Sequence, residues 1–111
     1  MTDEYRRGFV YIQGRYAGII AETEEGYEFR YDRDYLQSER AVAVSLTIPL
    51  RERPYESNIL FPFFDGLIPE GWLLGVVSRN WKISRNDRFG LLLAACKDCI
   101  GDVYIREEAI I

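Results

Sequence analysis

The stretch FPFFDGLIPEGW, Phe61 to Trp72, must turn sharply and then start a helix. It holds three Phe, two Pro and two acidic residues. Pro69 suits the first helical position: its missing N–H has no partner there in any helix, and its φ is already helical. Glu70 then falls in the first turn, where the helix dipole favours negative charge. An aromatic block held in so constrained a turn anchors something, either the chain's own core or another protein.

Toward the C-terminus, Pro69 to about Trp81 reads as a helix. Steps of about 100° per residue gather Leu73, Leu74, Val76, Val77 and Trp81 on one broad arc, with Gly75, Ser78 and Arg79 opposite. Trp72 lands at the margin, between Val76 and Arg79. A rim tryptophan is the kind of side chain that anchors protein interfaces. The candidate partner-binding residues are therefore Trp72, Gly75 and Arg79, bordered by Asp65 and Glu70. The competing reading folds Trp72 back over Phe61 or Phe64 as a lid on the core. Farther on, the SRND run (Ser84 to Asp87) supplies a cap. Phe89, Leu91, Leu92, Leu93, Ala94 and Ala95 then form a short helix apolar enough to be buried. Gly101 is a turn, and Val103 to Ile105 a closing strand.

Toward the N-terminus, Ser57 or Asn58 caps a helix running to about Leu67. Arg51 to Tyr55 is a charged loop. Ala41 to Ile48 reads as the clearest strand: Val42, Val44, Leu46 and Ile48 share one face, small residues line the other, and Pro49 ends it. Residues 34–40 form a short helical turn or loop. Tyr27, Phe29 and Tyr31 alternate with Glu28, Arg30 and Asp32, a strand with one wet face. Residues 8–13 and 16–22 are two further strands, separated by a tight turn at Gly14-Arg15. Glu24-Glu25-Gly26 is the next turn. The whole is α+β: an antiparallel meander sheet, about three short helices packed on it, and a closing C-terminal strand.

The chain has 111 residues, a length that predicts one domain spanning 1–111. Its net charge is −4 with no basic cluster, which argues against direct nucleic-acid binding. No apolar run approaches about 18 residues, so a membrane span is not expected and the cytoplasm is the expected compartment. There is no His, the commonest general base and metal ligand. Cys96 and Cys99 form one C-x-x-C at the end of an apolar run, two ligands where a structural zinc site uses four. No glycine-rich phosphate loop occurs. Asp65 and Glu70 are explained by a cap and a dipole partner more simply than by an acid–base pair. No catalytic residue, metal or cofactor is expected, and the chain is read as a binding module rather than an enzyme.

Four segments, in order, resemble the N-terminal domain of HipA-type serine/threonine kinases. YEFRYDRDYL (Tyr27 to Leu36) lies in the meander. AVAVSLTIPL (Ala41 to Leu50) is similar to the family's SLSLPL strand. FPFFDGLIPEG (Phe61 to Gly71) is similar to its FFDNLLPEG signature, the most specific element. DRFGLLLAACKDCIGDVYI (Asp87 to Ile105) is similar to its D.F.LLLA.G.D..GAV.I segment. Cys96 and Asp102 depart, standing where the family usually has Gly and Ala. The resemblance covers about residues 8 to 106 and implies no kinase core, hence a separate small polypeptide. It is similar to split three-component toxin–antitoxin systems. There a HipS-like antitoxin docks on a shortened HipT-like kinase in place of its missing N-terminal domain, and a HipB-like protein binds DNA in a ternary complex. By that likeness the chain inhibits the kinase, with Trp72 inserted near its nucleotide-binding loop. A non-inhibitory accessory subunit, or an excised domain of a longer kinase, would share the same sequence.

Overall fold

The computed structural model describes residues 5–68, 87–95 and 102–107. Strands β1 (Arg7–Ile12), β2 (Arg15–Thr23) and β3 (Gly26–Tyr31) form the expected antiparallel meander. The first turn sits at Gln13–Gly14, one residue earlier than the sequence suggested. Both residues have positive φ, 53° and 79°, which matches the right-handed twist of the flanking strands. Helix α1 (Arg33–Gln37) follows, capped by the Asp32 carboxylate on the Tyr35 amide. Strand β4 (Tyr55–Ser57), helices α2 (Pro62–Asp65) and α3 (Arg88–Ala95), and strand β5 (Val103–Arg106) complete the described elements. The five strands run in the order β4-β3-β2-β1-β5, every neighbouring pair antiparallel. The fold is α+β, as expected.

One face of the sheet carries the core. Val10, Ile12, Ile20, Phe29, Tyr31 and Ile105 cluster with Phe64 of α2 and with Phe89, Leu91 and Leu92 of α3. A bulge lets β2 serve this core: Val10 pairs with Gly18 and Tyr11 with Tyr16, leaving the buried Ala17 as the extra residue. Helix α3 is the buried apolar helix that its composition demanded. Asp87 caps it, accepting from the Gly90 amide at 3.1 Å.

Two sequence expectations fail. Residues 41–48 are not a strand. Ser45 and Ile48 close a tight turn instead, the Ile48 amide donating to the Ser45 carbonyl at 3.1 Å. Val44 and Ile48 are buried, while Val42 and Leu46 face outward, so the expected single apolar face is broken. The cause is competition for backbone groups. The Tyr35 hydroxyl donates to the Val42 carbonyl (2.8 Å) and accepts from its amide (3.0 Å). The Tyr31 hydroxyl accepts from the Val44 amide (2.9 Å) and donates to the Ile48 carbonyl. With those groups satisfied by side chains, and the free edge of β3 taken by β4, no ladder is left to join.

The second failure is the helix from Ser57 or Asn58 to Leu67. Residues 55–57 instead form β4, opposite Tyr27 to Phe29. The helix waits until Pro62, because proline has no N–H to donate within a helix and sits comfortably only in its first turn. The helix expected from Pro69 to Trp81, the Ser84 end of the SRND cap, the Cys96/Cys99 pair and the Gly101 turn lie outside the described residues. Among the described residues no helix is long and apolar enough to cross a membrane.

Candidate functional site

Of the candidate partner-binding residues, Glu70, Trp72, Gly75 and Arg79 lie outside the described residues. Asp65 lies within them, and its surroundings define the site's border. The phenylalanines before it serve the chain's own core. Phe64 is fully buried, with its ring centroid 5.3 Å from Phe29, 5.2 Å from Phe63 and 6.3 Å from Phe61. These tilted and edge-on ring contacts fix α2 on the sheet and set where Asp65 projects.

Asp65 is the last residue of α2 and lies within its single turn. Its Oδ1 accepts from Nε of Arg88, the first residue of α3, at 2.8 Å. The pair spans 23 residues of chain, so no local pattern announces it. Half-exposed pairs of this kind contribute about 0–1 kcal/mol. Its structural consequence is larger than its energy. The described chain leaves at Ile68 and resumes at Asp87, and the ion pair holds these two ends together. Beside it runs a groove of about 430 Å³ bordered by Tyr27, Ile59, Leu60 and Pro62. Ile59 is 63 % exposed there.

A second ion-pair group steadies the start of α3. The Arg6 guanidinium donates from Nε and Nη2 to Glu22 (2.9 and 2.8 Å), and from Nη1 and Nη2 to Asp87 (2.8 and 2.9 Å). It also lies over the Phe89 ring, 5.6 Å from the centroid. The Arg6 hydrogen bonds hold both carboxyls below their ordinary range, and the two carboxylates raise Arg6 in turn. Gly90 makes this possible: a Cβ there would stand 2.3 Å from Asp87 Oδ2 and 2.9 Å from Arg6 Nη1.

An aromatic row on the opposite sheet face was not anticipated from the sequence. Tyr11 stacks on Tyr104 at 5.0 Å and meets Tyr16 at 5.8 Å, and Tyr16 meets Phe9 at 5.9 Å. Arg7 and Arg106 lie over Phe9 and Tyr104, each at 5.3 Å. Tyr11 is buried, so the row is a packed cluster. Its signal was the alternation of Phe9 and Tyr11 with Val10 and Ile12. Among the described residues, no group of three or more His, Cys, Asp or Glu is placed to hold a metal ion.

Comparison with known proteins gives concordant results. The family model for the HipA N-terminal domain matches residues 9–106. An uncharacterised protein of Haemophilus influenzae is 35 % identical over 108 residues, covering 97 % of this chain and 98 % of that protein. Y4mE of Sinorhizobium fredii, whose name assigns it provisionally as a kinase, is 28 % identical over 100 residues. That match takes in 89 % of this chain and only 24 % of Y4mE. Among solved structures, the N-terminal domain of HipA toxin superposes with a TM-score of 0.74 and 31 % identity over the whole of both chains.

Proposed function

Because this chain belongs to the HipA N-terminal domain family, we propose that it is an inhibitory binding subunit, an antitoxin. It docks on a HipT-like serine/threonine kinase where that kinase lacks its own N-terminal domain. The observation that carries this reading is the contrast between two relatives. The same domain makes up about a quarter of a protein named as a kinase and almost all of a small one. In the first, the domain's partner surface is met within one chain. In the second, it must be met by another polypeptide.

In this reading the segment held at both ends by the Asp65–Arg88 pair carries the docking residues, with Trp72 as anchor and Glu70, Gly75, Arg79 and Asp65 around it. Phosphoryl transfer is mostly a matter of positioning. An indole that displaces the nucleotide-binding loop from its catalytic geometry therefore stops it. The chain itself transfers no phosphate, acts in the cytoplasm as a single domain, and needs no cofactor. A HipB-like protein supplies DNA binding in a ternary complex.

The test is growth rescue in cells expressing a HipT-like kinase that lacks its own N-terminal domain, with wild-type protein and Trp72→Ala. Loss of an anchoring Trp costs about 2 kcal/mol or more, roughly thirtyfold in affinity. A folded mutant that fails to rescue supports the reading. Full rescue by a folded mutant overturns the role of Trp72, and a large drop in its melting temperature marks Trp72 as a core lid instead.

A further inference from the structure

Leu46 is 99 % exposed, yet the backbone on either side of it is tied to the body of the domain. Its neighbours Val44 and Ile48 are buried in the main core cluster. Two tyrosine hydroxyls bond the amide and carbonyl of Val42, the amide of Val44 and the carbonyl of Ile48. Ser45 Oγ meets Thr47 Oγ1 at 3.0 Å and accepts from the Thr47 amide at 3.2 Å. A leucine held out on such a mount has paid its ordering cost before any partner arrives, which is how preorganised contacts gain affinity.

Single exposed apolar residues are ordinary. Here they cluster. Among the described residues five large hydrophobic side chains are exposed, and three of them, Val42 (44 %), Leu46 and Leu50 (37 %), fall within nine residues. Exposed Arg40, Arg51, Glu52 and Arg53 flank them. An apolar centre with a charged margin is the composition of an interface.

We infer that the turn Ser45–Ile48 is a second docking element, and that Leu46 enters an apolar pocket on the kinase-type partner. This rests on the docking reading above and adds a contact that lies on the described body, apart from Trp72. A second copy of this chain is the poorer occupant. The turn spans only Ser45 to Ile48, and two such turns meeting each other are small against the roughly 1,200 Å² of a stable interface. A larger partner with a concave surface suits a knob, and the kinase-named relative has three quarters of its length outside the match. The turn is also mechanically linked to the Asp65 region. Tyr31 holds the turn and packs edge-on to Phe29 at 4.8 Å, and Phe29 packs on Phe64 of α2. The turn and α2 thus rest on the same three rings, Tyr31, Phe29 and Phe64.

The experiment measures affinity for a purified HipT-like kinase that lacks its own N-terminal domain by calorimetry, using wild type, Leu46→Asp, Leu46→Met and Trp72→Ala. With 99 % of Leu46 in solvent, the Leu46 variants keep the wild-type melting temperature. Leu46→Asp weakens binding by at least about tenfold and Leu46→Met by less than about threefold. Leu46→Asp that binds within about twofold of wild type overturns the inference while leaving the docking reading intact, since wild type still binds. Wild type that fails to bind overturns both. Sedimentation that shows a wild-type dimer abolished by Leu46→Asp also overturns the inference, because the occupant is then a second copy.

Discussion

The turn around Leu46 and the start of α3 are both held by side chains from distant strands, but by opposite chemistry. The turn hangs on neutral, buried hydroxyls from Tyr31 and Tyr35. The helix start hangs on a half-exposed guanidinium, Arg6, that bridges Glu22 and Asp87. Neutral buried hydrogen bonds are costly to leave unmade and indifferent to salt. Exposed ion pairs contribute little each and are screened. The two tethers should therefore fail under different insults.

The largest expected effect is Tyr31→Phe. It leaves the Val44 amide and the Ile48 carbonyl unpaired in the core, at a cost of about 3 kcal/mol, read by urea denaturation. A cost below about 0.5 kcal/mol would mean that water replaces the hydroxyl. Next is Arg6→Met, expected to cost about 1 kcal/mol, since it removes the bridge and leaves Glu22 and Asp87 facing each other.

The pH limits separate the tethers most cleanly. Arg6 lowers the folded pKa of Glu22 and Asp87, so their contribution is present above the ordinary carboxyl range and is lost as pH falls through the lowered values. Burial pushes Tyr31 up to about 12. Its contribution is complete below the ordinary tyrosine value near 10 and is lost as pH rises toward 12. Melting temperature against pH should thus fall at both ends, with the acid limb flattened in Arg6→Met and the alkaline limb flattened in Tyr31→Phe. The smallest effect is that of salt. About 1 M NaCl should reduce wild-type stability by a few tenths of a kcal/mol through the Arg6 bridges and leave the turn untouched.

The same contrast explains which parts of the fold the sequence revealed. The meander was legible because alternation and turn residues are local signals: Tyr27, Phe29 and Tyr31 announce a strand by themselves. Asp87 and the apolar run after it were legible for the same reason. Residues 41–48 carry a strand's alternation, but hydroxyls ten or so positions upstream claim their backbone, and nothing within the segment says so. Strand β4 has three residues and no apolar alternation to show. The Asp65–Arg88 pair is equally non-local. Trp72, Gly75, Arg79 and Glu70 were placed by helical spacing, and their test lies in binding experiments.

The proposed inhibition has one direct readout, autophosphorylation of a HipT-like kinase that lacks its own N-terminal domain, titrated with this chain. The expected result is a fall to background at one equivalent, relieved by Trp72→Ala and by Leu46→Asp. Autophosphorylation that holds steady or rises, with the two proteins bound to each other, would contradict it and make the chain an accessory subunit.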